Sequence, residues 1–484
     1  MYKIAPIIHV IAKIGFLFCP ILLIPALVSL RYHDGVFSAF GSAALITLLL
    51  SFAAWLLTIR HRREMRTRDG FTLVFLMWIG FSVLASLPFY LFLPNLSFTD
   101  AFFEAISGLT TTGATIFTDL NHLAPSLNFW RHMLNWLGGM GIIVLAVAIL
   151  PMLGVGGTQL FKAEIPGINK DSKMAPRISQ TAKNLWIIYV FFTLITFIAL
   201  RLAGMGWFDA ICHAMSAFSL GGFSTYDNSI AHFNSIAIEI VLSIASIIGA
   251  INFTNHFYAF RHKTLRHYWQ DEEVRTTLTL LSASIVVIAL YLWFKDFYSL
   301  GESFRHVGFN VISIALANGY ASVDFALWPL VASLWMYFLA NILANAGSAG
   351  GGIKTIRAIV LFKFSLREMM IMMHPNAVRT VKINGKNISD RIALTVLAFI
   401  FVYFMTVVMF TFLLMISGLD FISSMTAVIA CITNAGPGLG AVGPAGNYAL
   451  LSDLQKWLCT AVMLLGRLEI FTVFILFTPA YWRK

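Results

Sequence analysis

Charge is what this chain has least of. Only 11% of its 484 residues are Asp, Glu, Lys or Arg, while 59% are hydrophobic. A soluble domain carries about 25% charged residues, so a water-exposed globular fold is excluded and an integral membrane protein is indicated. Acids are scarcer than bases, 22 against 33. Cysteine is nearly missing too. Cys19, Cys212, Cys431 and Cys459 all lie in apolar segments and none forms CxxC. Neither a disulfide framework nor a metal site is indicated by such cysteines. No acid–base pair, nucleophile constellation or cofactor motif stands out, so an enzyme is not expected. Three long stretches, 94–130, 202–260 and 416–455, hold no Lys or Arg at all.

What is present is a series of apolar runs. Ten of them, roughly 4–30, 37–59, 71–93, 133–155, 182–204, 235–257, 276–297, 328–350, 392–417 and 456–480, approach or exceed a membrane crossing. About 20 helical residues span the hydrocarbon, and lipid offers the backbone no other partner. The first run is too long for a cleavable signal peptide. Basic residues gather on alternate loops: Arg60 to Arg68, Lys162 to Lys183, Arg261 to Arg275, Lys354 to Arg391, and Arg483 with Lys484. The positive-inside rule then places those loops and both termini in the cytoplasm. The net charge of +11 is thus a topology signal and not a nucleic-acid signal.

Between paired runs, four short segments end on glycine: TTTGA at Gly113, SLGGF at Gly222, LANGY at Gly319 and TNAGP at Gly436. They recur about every hundred residues, the mark of an internal repeat. Each is preceded by a run too short to cross. Thirteen residues before the glycine stand Asp100 and Asp209, read here as helix N-caps, then His306 and Ser423. Each copy has two crossings and the same orientation, so parallel repeats are expected. The divisions are 1–69 for two N-terminal helices and a basic loop, then repeats at 70–160, 161–265, 266–375 and 376–484.

A cation that sheds water needs replacement oxygens, and rings of backbone carbonyls supply them without countercharge. Glycine permits positive φ and close approach, and short helices aim their negative ends inward. The candidate ion-binding set is therefore Thr111, Thr112, Gly113, Leu220, Gly221, Gly222, Ala317, Asn318, Gly319, Asn434, Ala435 and Gly436. Asp119, Asp227 and Asp324 follow three of the glycines. They suit either an electronegative entrance or ordinary Asx turns. The eighth run is interrupted by Asn345, Gly347, Ser348, Gly350, Gly351 and Gly352. Each interior glycine costs about 1 kcal/mol of helix, so a non-helical plug at membrane depth is expected. GSAGGGIKT there lacks the Lys position of a phosphate loop. Arg467 falls within the tenth run, where it suits either the permeation path or the carbonyls of that break. His213 and His306 carry no second ligand at metal spacing.

The motifs SGLTTTGATIF, GGFSTYD, NAGSAGGGIKTIRAIVLFK, GPGLG and GRLEIFTVFILFTPAYWRK, with HPNAV and LNWLGGMGIIVLAVAILPMLGVGG, resemble the Trk/Ktr/HKT potassium-transport superfamily. Within it, they are similar to the bacterial TrkH-type membrane subunit, over essentially the whole chain. The resemblance implies that Gly113, Gly222, Gly319 and Gly436 are filter glycines, and that four glycines accompany potassium preference. It implies gating by Asn345–Gly352 with Arg467 below the filter, a homodimer, and a cytosolic TrkA-type nucleotide-binding partner. Asn318 stands where similar proteins carry a small residue, and Pro437 makes the fourth loop the least symmetric. The expectation is an all-α integral membrane fold. It has ten transmembrane helices, four outer helix–pore loop–inner helix repeats with pseudo-fourfold symmetry around one pore, and two peripheral N-terminal helices. The expected function is gated, channel-like potassium uptake across the bacterial inner membrane, with K⁺ as the transported ion and no bound cofactor. The alternatives are a K⁺ symporter coupled to H⁺ or Na⁺, and the translocating subunit of a pump.

Overall fold

The computed structural model describes residues 4–60, 67–144, 178–376 and 379–483. Part of the basic-loop pattern (Arg62, Arg63, Arg66, Lys162, Lys170, Lys173 and Arg177) lies outside them, as do residues 145–155 of the fourth run, the 160/161 repeat boundary and the end of HPNAV. Among the described residues the chain is helical apart from loops and one small hairpin. In that hairpin Val381–Ile383 pairs antiparallel with Lys386–Ile388. Its turn residues Asn384 and Gly385 both have positive φ, as a two-residue Asn-Gly turn requires.

Among the described residues, six helices are long and apolar enough to cross a membrane: Ala5–Tyr32, Phe37–Thr58, Asp69–Phe92, Lys183–Leu202, Glu272–Phe294 and Asp390–Ile416. Large side chains such as Leu17, Leu27 and Leu57 face outward on the first two, where lipid is the only apolar solvent. The first two helices form a hairpin whose connecting Asp34 accepts from the Ser126 N–H at 2.9 Å. Trp130 lies between Phe18 and Phe40 and donates to the Ala85 carbonyl at 3.0 Å. The pair is thereby packed onto the helix Pro125–Val144 of the first repeat.

Four short helices lie between the longer ones: Phe98–Leu109, Trp207–Phe218, Leu300–Ala315 and Phe421–Thr433. None reaches the roughly 20 residues of a full crossing. Their N-caps correct the expectation for Asp100 and Asp209. The caps are Ser97, Gly206, Ser299 and Asp420, and the two aspartates sit in the first turn. Asp100 instead pairs with Lys456 at 2.6 Å, and Asp209 accepts from Thr225 Oγ1 at 2.7 Å. A first-turn carboxylate still complements the helix dipole.

Three apolar runs are not continuous helices, and two of those breaks were not expected. Ile236–Ala250 and Phe253–His262 meet at 95°, and Asp453–Arg467 and Ile470–Phe477 meet at 111°. At the first bend Asn252 takes up a cap, accepting from the Thr254 N–H at 2.8 Å. At the second, Glu469 has φ +60°, so Arg467 ends a helix instead of sitting inside one. The third, Leu330–Ile342, stops before a non-helical stretch, 343–354, and Thr355–Met373 resumes it. This break falls where the glycine cluster placed it.

Candidate functional site

The four short helices end in the same backbone move. Thr111, Leu220, Ala317 and Asn434, two residues before each glycine, have φ of 54°, 56°, 59° and 57°. The next residue then donates its N–H back to a carbonyl five positions earlier. Thr112 reaches Ser107, Gly221 reaches Ser216, Asn318 reaches Ser313 and Ala435 reaches Ala430, each at 2.8 Å. Such a left-handed C′ residue followed by a six-to-one bond is the Schellman ending of a helix. Gly113, Gly222, Gly319 and Gly436 follow with positive φ. A left-handed Thr or Leu is costly for an L-residue, and its appearance at the same place in each copy marks a conformation that packing imposes.

The four turns touch in order and close on themselves. A Cβ added to Gly113 would collide with the Gly221 carbonyl oxygen, one on Gly222 with that of Asn318, and one on Gly319 with that of Ala435. One on Gly436 would fall 2.7 Å from the Thr112 carbonyl oxygen. All twelve residues proposed for ion binding therefore lie in one ring of four loops. The two asparagine side chains among them are hydrogen-bonded. The Asn318 amide donates to Ser246 Oγ at 2.5 Å, and that of Asn434 donates to Thr112 Oγ1 at 3.0 Å and the Met463 carbonyl at 3.2 Å. The fourth loop departs from the others: Tyr448 Oη donates to the Gly436 carbonyl at 2.9 Å.

Behind the ring each short helix anchors its own outgoing loop through one polar side chain. Glu104 accepts from Thr115 Oγ1 and the Ile116 N–H, both at 3.0 Å. His213 meets Ser224 Oγ at 3.0 Å, Asn310 accepts from the Ser322 N–H at 3.2 Å, and Thr426 Oγ1 accepts from the Leu439 N–H at 2.8 Å. Glu104 is paired with Arg131 at 2.6 Å, both wholly buried. Arg131 stacks over Phe223 at 4.2 Å. Arg131, Asn128 and His132 contact the consecutive carbonyls of Ser224, Thr225 and Phe223. Repeat one's helix thus holds repeat two's loop. Sequence reasoning missed this layer. Its available signals were Glu104 and Arg131, each a lone charge in an apolar stretch.

The interrupted stretch 343–354 lies directly beneath. A Cβ on Gly351 would fall 2.5 Å from the Thr433 carbonyl, at the end of the fourth short helix, and one on Gly350 would be 3.6 Å from the Leu316 carbonyl, at the end of the third. Arg467 donates to the Ala349 carbonyl at 2.5 Å and to that of Gly138 at 2.8 Å, so it joins this stretch to the first repeat. The Gly347 carbonyl accepts from the Phe253 N–H at 3.2 Å, at the bend of the second. Glu469 pairs with Arg357 at 2.8 Å.

On the other side, a cavity of about 70 Å³ is lined by Gly113, Gly222, Gly319 and Pro437 together with Arg131 and Asp227. Asp227 accepts the Leu120 N–H at 3.0 Å, Asp324 caps a short turn through the Ala326 N–H at 3.0 Å, and Asp119 pairs with His122 at 2.7 Å. That hydrogen bond raises the His122 imidazole above its ordinary pKa. Each aspartate thus has a local structural task, and only Asp227 lines the cavity.

The family described as TrkH, cation transport protein, matches residues 37–484. The Trk system potassium uptake protein TrkH of Halomonas elongata is 43% identical over 479 residues, 99% of each chain. The protein of the same name from Escherichia coli K12 is 41% identical over 480 residues, again 99% of each. The crystal structure of the potassium transporter TrkH from Vibrio parahaemolyticus superposes with a TM-score of 0.91 at 40% identity, covering 99% of this chain and 100% of that one.

Proposed function

The chain belongs to the TrkH family of cation transport proteins, and from that membership we propose that it takes up potassium through a gated, channel-like pore. The observation that carries the proposal is the closed ring, in which each glycine abuts the carbonyl preceding the glycine of the next repeat. In this mechanism the carbonyls of the four turns replace the hydration shell of K⁺. The negative ends of four short helices face the ion's path and favour cations over anions. The filter residues are the three ending on each glycine. Residues 343–354 with Arg467 form the gate below it, for they fill the space under the ring. Asp119, Asp227 and Asp324 help draw cations to the mouth, and Asp227 lines the cavity there.

The same proposal gives the chain ten crossings. Its four parallel repeats, at 70–160, 161–265, 266–375 and 376–484, stand about one axis in a bacterial inner membrane, and both termini are cytoplasmic. A homodimer and a cytosolic TrkA-type partner come with the family resemblance. Purified protein in liposomes is expected to pass Rb⁺ down its gradient without ATP and without a proton or sodium gradient, and to pass Na⁺ more slowly. Flux that appears only with an imposed H⁺ or Na⁺ gradient would assign a symporter. Flux that needs an ATPase would assign a pump subunit.

A further inference from the structure

We propose that Glu273, with Thr277 one turn along the same helix, is the staple that holds the gate segment closed. This rests on the gate assigned above and names what fastens it. The segment has a narrow neck. The Thr355 N–H donates to the Ala344 carbonyl at 2.9 Å, and the Ile353 N–H to that of Asn341 at 2.7 Å. Residues 344 and 355 are thereby held together, and the glycine-rich chain between them loops out under the ring.

Glu273 grips that neck on both sides. Its Oε1 accepts the Ala346 N–H at 2.7 Å and the Ile356 N–H at 3.2 Å. Thr277 Oγ1 donates to Asn345 Oδ1 at 2.7 Å, and Thr355 Oγ1 donates to the same oxygen at 3.2 Å. Glu273 is 1% exposed and Thr277 is 5% exposed. Spacing of i and i+4 puts both on one helix face. One carboxyl oxygen that accepts two backbone N–H groups ties both strands of the neck to a single point. These are the first contacts that must break if the segment swings aside as a unit or straightens into helix. Arg467 holds the tip; Glu273 and Thr277 hold the root.

The helix carrying the staple is tied to the cytoplasmic hairpin. Asp271 caps its start by accepting the Glu273 N–H at 2.9 Å. Asn384, in the hairpin turn, accepts the Glu272 N–H at 2.8 Å, and Lys363 pairs with Glu272 at 2.6 Å. A shift of the hairpin therefore reaches Glu273 through two residues. The other Glu273 oxygen, Oε2, has no partner among the described residues. Gln can therefore keep the double acceptor and place its NH₂ where nothing is displaced.

The test is Rb⁺ flux through the full-length protein in liposomes, with Arg467→Ala as the reference for a gate freed at its tip. Glu273→Ala is expected to raise resting flux about tenfold or more, the shift from losing both bonds to the neck in the closed state. Glu273→Gln should restore most of the closure. Thr277→Val, the milder variant should Glu273→Ala fold poorly, should raise flux by less. As a second readout, Ser348→Cys should react faster with a thiol reagent in the Glu273→Ala background, above the level set by the natural cysteines. Glu273→Ala flux that is unchanged or lower while Arg467→Ala raises flux overturns the staple and leaves the gate standing. Equal effects of Gln and Ala also overturn it. If neither Arg467→Ala nor Glu273→Ala changes flux, the gate assignment itself fails.

Discussion

The ring and the segment beneath it are built on opposite plans. The ring repeats one backbone conformation four times with four different left-handed residues, Thr111, Leu220, Ala317 and Asn434. Its asparagine side chains bond to Ser246, to Thr112 and to the Met463 carbonyl. The segment at 343–354 occurs once and is held by individual side chains, Arg467 at the tip and Glu273 and Thr277 at the neck. The remaining inner helices show what it replaces. Gly138, Gly249 and Gly466 press against the carbonyls of Leu109, Phe218 and Ile432, at the end of their own repeat's short helix. In repeat three the helix stops at Ile342 and the loop occupies that place. Fourfold backbone repetition makes a fixed structure whose side chains are free to vary. A single copy on a few side chains is what the proposed gate would release.

The largest effect should come from breaking the ring where only glycine fits. Gly222→Ala puts a Cβ into the Asn318 carbonyl and adds about 1–2 kcal/mol of left-handed strain. Rb⁺ flux is expected to fall more than about tenfold and its preference over Na⁺ to collapse. Gly204→Ala is the control, because Gly204 also has positive φ but nothing within 4 Å. If both variants behave alike, strain and not close approach is what the ring requires. Next comes the layer behind the ring. Arg131→Ala leaves the buried Glu104 carboxylate without its cation, which costs about 3–5 kcal/mol for a buried pair. A large drop in thermal stability is expected, partly recovered by adding Glu104→Gln. An unshifted melting temperature would mean that the pair does not hold the loop.

The sequence made the glycines, the hairpins and the third-repeat break readable because each is a local composition signal. Gly113 and its three counterparts each stand between apolar runs, and Asn345–Gly352 packs four glycines into eight residues. The bends at 251–252 and 468–469 left no such trace: Asn252 and Glu469 are ordinary residues until a cap or an ion pair with Arg357 engages them. The caps lay three residues upstream of the aspartates assigned to them, because Asp at a cap and Asp in the first turn satisfy the same helix dipole. The anchors behind the ring were hidden by chemistry. Glu104, His213, Asn310 and Thr426 do one job with four side-chain types, so no motif connects them. The apparent continuity of the tenth run made Arg467 look mid-helical. Of its two carbonyl partners, Ala349 lies in the break that the sequence offered as one alternative; Gly138, more than three hundred positions away, can be seen only in the folded chain.

The smallest effect should come from changing a ring residue without touching its backbone. Asn318 is the ring residue that stands where similar proteins carry a small one. Its amide, however, lies behind the loop on Ser246, and the carbonyl that meets Gly222 is main-chain. Asn318→Ala removes one neutral hydrogen bond, worth about 0.5–1.5 kcal/mol. Ser246 keeps its own bond to the Leu242 carbonyl at 2.7 Å, so no hydroxyl is stranded. The Asn318 N–H still reaches Ser313, and an alanine already occupies the left-handed position before it. The Rb⁺-to-Na⁺ flux ratio should therefore change by less than about twofold. A shift as large as that of Gly222→Ala would mean that repeat three selects through its side chain, and the division between a backbone ring and a side-chain gate would then fail within a single repeat.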